Sequence, residues 1–147
     1  MDIRLEKLKL KQAGWAAGLI ETEFKKEPYN MVWAQDLTEI VKKQITRSPE
    51  LAFKIIADEK DAGILLCAES LWEPAGKACF IEMVVVEEKF QKKGIGRTVL
   101  HLLEEKLKKE GYALMTLMSD AGSAAFGFYE REEFKKSRWV FVEKELK

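Results

Sequence analysis

The sequence predicts an α/β fold built on a mixed sheet, with its elements in the order β-α-α-β-β-β-α-β-α-β. Three observations carry that expectation. Apolar residues alternate with polar ones at the start of the chain and again through its middle, the period of a strand. Elsewhere the period lengthens to that of an amphipathic helix, twice in succession before residue 50. Between residues 78 and 118 an apolar strand, a long helix and another apolar strand follow one another. That is the order of a right-handed crossover joining two parallel strands.

The elements follow in sequence. Ile3, Leu5, Leu8 and Leu10 give a short alternating strand. From Lys11 to Lys26 the apolar residues Ala13, Ala16, Ala17, Ile20 and Phe24 fall at helical spacing, and Pro28 ends the run. A second helix is expected over 32–46, with Trp33, Leu37, Ile40, Val41 and Ile45 on one face and Pro49 beyond its end. Strands follow over 51–58, 64–71 and 78–86, separated by hairpin-type turns at Glu59–Gly63 and Glu73–Lys77. The stretch Met83-Val84-Val85-Val86 is apolar on both faces, which suits a central strand covered from two sides. A strong amphipathic helix spans 94–109, closed by Gly111 in the position glycine favours past a helix end. A strand over 112–118, a short helix over 123–131 and a final strand over 134–142 complete the chain. With no repeat and no linker of biased composition, residues 1–147 read as one domain.

Composition narrows the function. The 147 residues include 25 Lys+Arg and 25 Asp+Glu, a net charge of zero. A nucleic-acid binder needs a cationic excess to displace counterions from phosphates, so nucleic acid is not an expected partner. One His and two Cys cannot supply a four-ligand zinc site of the usual nitrogen and sulfur type; carboxylates alone could still hold a metal, but none is expected. Cys67 and Cys79 sit in apolar runs without CxxC spacing and read as buried, reduced thiols. No run is long enough to span a bilayer, and the charged start of the chain is unlike a signal peptide. The expected location is the cytoplasm, with no membrane partner.

The most informative stretch is Glu87-Glu88-Lys89-Phe90-Gln91-Lys92-Lys93-Gly94-Ile95-Gly96-Arg97, which joins a strand directly to a helix. The first N–H groups of a helix lack partners within it and sit at the positive end of its dipole. Gly94 and Gly96 remove the Cβ atoms that would hold a ligand off the backbone. Lys92, Lys93 and Arg97 add positive charge. Together these make an anion site suited to a pyrophosphate. A dinucleotide fingerprint fails because Val99 stands where a third glycine is required, and no Gly-Lys-Ser/Thr closes a P-loop. A glycine-containing turn with solvated lysines is the plainer alternative.

Val86-x-x-x-x-Gln91-x-x-Gly94-x-Gly96 resembles the acetyl-CoA signature of the GCN5-related N-acetyltransferase (GNAT) superfamily, Q/R-x-x-G-x-G/A after a strand. Further on, Ala125-x-x-Phe128-Tyr129-Glu130-x-x-x-Phe134 is similar to the family's A-x-x-F/L-Y-E-K-L-G-F segment. The order of elements agrees over nearly the whole chain. Two departures stand out. Gly122 replaces a frequent Asn seven residues before the Tyr, so Asp120 or Ser123 would have to cap the last helix, and Glu132-Glu133 replaces Leu-Gly. A looser likeness, to spermidine/spermine and thialysine acetyltransferases, rests on Glu73-Pro74, Phe80-Ile81-Glu82 and the region from Trp139 to Lys144.

The resemblance implies acetyl-CoA as co-substrate, with Gln91 and Phe128 among its binding residues and its pyrophosphate on the backbone N–H groups of Lys92, Lys93, Gly94, Ile95, Gly96 and Arg97. It implies that the central parallel strands splay, so that the pantetheine arm lies along Val84, Val85 and Val86 and a Val84 or Val86 N–H polarises the thioester carbonyl. Tyr129 is then the general acid for the leaving thiolate. Glu82 is the expected base, because a carboxylate sharing a strand face with Phe80, Val84 and Val86 needs an explanation; an ion pair or a substrate-shaping acid explains it equally. Tyr29, Trp33, Trp72 and Glu73, with Trp139 and Asn30 near them in kind, suit a cationic amine and suit a core equally. His101 reads as a helix-surface residue. The implied function is acetyl transfer to a primary amine of a small molecule or peptide by direct attack. The competing reading is a non-catalytic, acyl-CoA-binding regulatory module of the same fold. Family members are often dimers, and an exposed final strand suits pairing across a two-fold axis.

Overall fold

The computed structural model describes residues 1–146. Strands β1 (Ile3–Lys7), β2 (Ala52–Ala57), β3 (Lys60–Ser70), β4 (Ala78–Val86) and β5 (Leu114–Leu117) form one sheet in that spatial order. The first three pairings are antiparallel, and β4 with β5 is parallel. The helices are α1 (Ala13–Phe24), α2 (Leu37–Arg47), α3 (Ile95–Lys109) and α4 (Ala124–Arg131).

The sheet is covered on both faces, which is why β2 and β3 read as near-continuous apolar runs. On one face Ile55, Leu65, Cys67, Cys79 and Ile81 pack against Ile95, Val99, Leu103 and Leu107 of α3, with α4 at the margin. On the other, Ile64, Leu66 and Val85 meet Ala13, Ala16 and Ile20 of α1 and Val41 and Ile45 of α2. The amphipathic periods of α2 and α3 account for this directly.

Local chemistry fixes the boundaries. Helix α2 starts at Leu37 rather than residue 32, because the Asp36 side chain caps it, accepting from the Thr38 N–H at 2.9 Å and the Glu39 N–H at 3.4 Å. The β2–β3 turn is the two-residue Asp58-Glu59, both at positive φ, rather than Glu59–Gly63. That is the backbone tight hairpins favour. Gly111 takes the left-handed conformation expected of it after α3 (φ 80°). Gly63 brings β3 close to β4: a Cβ there would strike the Val85 carbonyl oxygen.

Two expectations are corrected. The register of β3 with β4 shifts between Leu66↔Met83 and Cys67↔Ile81, so Glu82 is the extra residue of a β-bulge. Cys79 and Ile81 point to the α3 face before it, Val84 and Val86 after it. Glu82 therefore does not share a simple alternating face with Phe80, Val84 and Val86. The second correction concerns residues 134–142, which form no strand. The Phe134 N–H donates to the Tyr129 carbonyl at 3.0 Å; past it, among the described residues, the only main-chain N–H hydrogen bond is from Trp139 to Ser137 Oγ at 3.2 Å. Alternation marks a segment able to pair, but a strand exists only where a partner edge meets it.

Candidate active site

The site begins where β4 and β5 part. Their pairing runs from Ala78↔Leu114 to Ile81↔Leu117 and stops there, while β4 continues five residues to Val86. On its other side β4 stays bonded to β3, with the Glu87 N–H donating to the Ala62 carbonyl at 2.8 Å. Antiparallel ladders bond alternate residues. Val85 and Met83 therefore share the β3-facing set with Glu87, and the main-chain groups of Val84 and Val86 turn toward the gap left by β5. Val85 is also buried against α1 and α2. Of the three valines expected to line the gap, only Val84 and Val86 present their N–H groups to it.

The loop after β4 is held by Gln91. Its Nε2 donates to the Val86 carbonyl at 2.8 Å and to Glu23 Oε1 at 2.9 Å. Glu23, on α1, also pairs with Lys26 at 3.0 Å, and Lys26 reaches Glu88 at 3.4 Å. The side-chain donors of Gln91 are thus committed to holding the loop, which gives it a positioning part. Sequence reasoning gave no sign of Glu23.

Lys92 (φ 60°) and Gly94 (φ 78°) adopt left-handed backbone. Such turns aim main-chain N–H groups into an anion-binding concavity. Nothing lies within 4 Å of where a Gly94 Cβ would be. The Ile95 side chain is core, leaving only its main chain for a ligand. A Cβ on Gly96 would touch Phe128 Cζ at 3.5 Å, so the Phe128 ring covers the first turn of α3. Lys92, Lys93 and Arg97 are exposed around the loop. Open backbone, unpaired first-turn N–H groups and three cations fit a pyrophosphate.

Helix α4 starts where Ser123 Oγ accepts from the Phe126 N–H at 3.2 Å, so Ser123 makes the cap that Gly122 cannot. It presents Tyr129 edge-on between Phe128 (5.2 Å) and Phe134 (5.5 Å). Burial pushes the Tyr129 phenol above its ordinary value, with a smaller upward push from the charge of Tyr29. Glu82 is exposed as a residue, yet partial desolvation pushes its carboxyl up, opposed in part by Arg47 at the end of α2.

Another contact ties α4 to α3. Glu132 Oε1 lies 3.0 Å from His101 Nε2 and 3.5 Å from Arg97 Nε, and the Glu132 side chain is only 11% exposed. His101 is therefore a partner of Glu132, and the departure at Glu132 was the signal that could have found the pair.

The residues expected to hold an acceptor do not all gather. Tyr29 packs against Phe24 with the ring centroids 4.9 Å apart and tilted. Asn30 adjoins it in left-handed backbone. Trp33 packs with the α1–α2 core, its buried Nε1 lacking a hydrogen-bond partner. Trp72, 95% exposed, and Glu73 lie before β4, at the end of that strand opposite the anion loop. Among the described residues no three His, Cys, Asp or Glu side chains cluster to hold a metal. No described helix is long and apolar enough to cross a membrane.

The sequence profile of the acetyltransferase (GNAT) family matches residues 19–134. No curated protein matches the sequence. Among solved structures, a possible acetyltransferase from Clostridium difficile 630 superposes with a TM-score of 0.81 at 17% identity, covering 98% of this chain and 97% of that one. A predicted acetyltransferase with acetyl-CoA from Clostridium acetobutylicum gives 0.76 at 13% identity, covering 97% and 96%. An aminoglycoside acetyltransferase from an uncultured soil metagenomic sample gives 0.72 at 16%, covering 99% and 97%. At such identities these likenesses establish a common fold.

Proposed function

The chain belongs to the acetyltransferase (GNAT) family, and on that premise we propose that it moves the acetyl group of acetyl-CoA onto a primary amine by direct attack. The observation that carries this reading is the parting of β4 from β5 after Ile81↔Leu117, which leaves the Val84 and Val86 N–H groups free beside a cationic helix N-terminus.

Bound acetyl-CoA supplies an acetyl thioester. The main chain of Lys92 to Arg97 binds the pyrophosphate, and the Phe128 ring borders it. Gln91 and Glu23 hold that loop in register with the end of β4. The Val84 or Val86 N–H, fixed by the ladder to β3, donates to the oxygen on which charge develops. Glu82, whose carboxyl is raised by burial, takes the proton that an amine must lose before attacking. Tyr129, kept protonated by burial of its phenol, gives a proton to the departing sulfur.

The acceptor is an amine of a small molecule or a peptide. The ring of Tyr29 and the carboxylate of Glu82 suit a cationic group. The protein works in the cytoplasm as one domain, without a metal; the two buried, unpaired thiols agree with a reducing compartment.

Thiol release from acetyl-CoA, followed across a panel of polyamines, amino acids, aminoglycosides and peptide N-termini, tests the reading. Release with at least one amine is expected, together with a rise in melting temperature on adding acetyl-CoA. A thermal shift with no thiol release from any amine would favour the non-catalytic acyl-CoA-binding module. The absence of both responses would overturn the assignment of the loop.

A further inference from the structure

Helix α4 carries Tyr129, yet none of its eight residues is fully buried. A short helix with so little apolar burial is held in place by a few directional contacts rather than by packing. Two such contacts reach α3. Phe128 covers its first turn at Gly96, and Glu132, one helical turn after Phe128, lies against Arg97 and His101, themselves four residues apart on one face of α3.

Electrostatics alone does not account for Glu132. A carboxylate whose side chain is only 11% exposed is rare unless paired. This one sets a negative charge 3.5 Å from Arg97, one of the three cations around the loop between β4 and α3, and so weakens a site that attracts anions. Its use lies in the turn it begins. The Glu132 and Phe134 N–H groups donate to the Tyr129 carbonyl at 3.1 and 3.0 Å, and the Phe134 ring meets the Tyr129 ring edge-on. A carboxylate anchored on α3 therefore anchors the turn that grips Tyr129 by its main chain and its ring.

We propose that Glu132 is a positioning residue: its carboxylate, shared by His101 and Arg97, sets the place of the Tyr129 phenol relative to a thioester whose pyrophosphate end is bound at the start of α3. The role rests on the acetyl transfer proposed above, with Tyr129 as its acid. His101 is the directional partner, with Nε2 at hydrogen-bond distance, 3.0 Å; Arg97, at 3.5 Å, adds charge. Glu132 thus opposes anion binding while it orders the proton donor. Removing its charge should move kcat and acetyl-CoA affinity in opposite senses, a signature that general loosening of the fold does not give.

Glu132→Gln keeps the shape of the side chain and removes its charge. With circular dichroism retained, kcat should fall about tenfold, less than a full ångström of misplacement costs. Acetyl-CoA, followed by calorimetry, should bind about two- to fivefold tighter, the scale of one exposed ion pair. In a Tyr129→Phe background the same substitution should leave kcat where Tyr129→Phe alone puts it, because the group being positioned is gone. His101→Ala breaks the contact from the α3 side; it should lower kcat less, and its effect should likewise vanish beside Tyr129→Phe. Glu132→Asp, which keeps the charge, should recover part of the rate. Glu105→Gln, at an exposed acid one turn past His101, should leave both constants at the parent values. A parent that turns over while Glu132→Gln keeps its kcat would overturn the positioning role alone. So would a rate loss that persists in full beside Tyr129→Phe, or one accompanied by weaker acetyl-CoA binding. A parent inert toward every amine would overturn the acetyl transfer itself, and this role with it.

Discussion

The side-chain nitrogen of Gln91 sits 2.8 Å from the carbonyl oxygen of Val86, closing the loop between β4 and α3 back onto the strand that precedes it. The same nitrogen reaches Glu23 on α1. Gln91→Ala removes both bonds and leaves the main-chain donors less ordered. The expected result is an acetyl-CoA KM raised about tenfold with kcat changed much less, since roughly 1–1.5 kcal/mol accompanies one such hydrogen bond. Glu23→Ala should act in the same direction and more weakly. Steady-state kinetics with acetyl-CoA varied would check both; a fall in kcat alone would remove Gln91 from loop positioning.

Tyr129→Phe keeps the ring edge-on between Phe128 and Phe134 and deletes only the proton donor. Turnover should drop by about 10²- to 10⁴-fold, the range for a lost general acid. Acetyl-CoA affinity by calorimetry and the melting temperature should stay near those of the parent. Unchanged turnover would exclude the role.

The two raised groups set the shape of the pH profile. Glu82 serves as base only when ionised, so kcat/KM should climb through a pKa above the ordinary carboxylate value. Tyr129 serves as acid only when protonated, so its limb falls above the ordinary phenol value of 10.0. Glu82→Gln should lower the rate and flatten the acidic limb. Arg47→Ala, which removes the charge that favours ionised Glu82, should move that limb to higher pH. For stability the sign is opposite. The fold favours neutral Glu82, so its contribution is full below the unfolded carboxylate pKa and fades as pH rises through the raised folded one. Melting curves of Glu82→Gln against the parent should accordingly differ more at pH 8 than at pH 4.

Gly63→Ala tests the close approach of β3 to β4. Its new methyl would meet the Val85 carbonyl oxygen and main chain rather than a yielding side chain. Overpacking of this sort costs about 1–3 kcal/mol, a fall in melting temperature on the order of 5 °C. Because Val85 adjoins both gap-facing valines, kcat should fall as well. A parent-like melting curve would refute the tight contact.

Cys67 and Cys79 are both fully buried, and contact with Cys79 together with burial pushes the Cys67 thiol far up. A thiolate is the reactive form. Ellman's reagent should therefore read no thiol in the native protein and two after denaturation.

The sequence disclosed most of this arrangement where neighbours along the chain decide the outcome. The 3.6 period of Ile95, Val99, Leu103 and Leu107 identifies α3 and its buried face without tertiary information. Asp36 and Gly111 mark helix ends by local chemistry, although the start of α2 was expected five residues early. What stayed hidden depends on meeting a partner. The alternation in residues 134–142 registers a preference, and no inspection of it says whether an edge lies within reach. The bulge at Glu82 is invisible for the same reason, since a register shift belongs to two strands at once. In the candidate site, Gln91, Gly94, Gly96 and Tyr129 stand out through their likeness to the family's motifs, whereas Glu23 and the Glu132–His101 contact join residues 68 and 31 positions apart from their partners.

The extra residue in β4 also has a bearing on how this strand can change. Removing Glu82 would restore unbroken alternation, and a sequence comparison would score that deletion as mild. In space it would turn the second half of the strand over. The amides of Val84 and Val86 would trade places with those of Met83 and Val85, and the donors would face a neighbour that already has its partners. Length at this point is thus under stricter constraint than identity: nearly any side chain at position 82 preserves the orientation of the donors, and no shortened strand does.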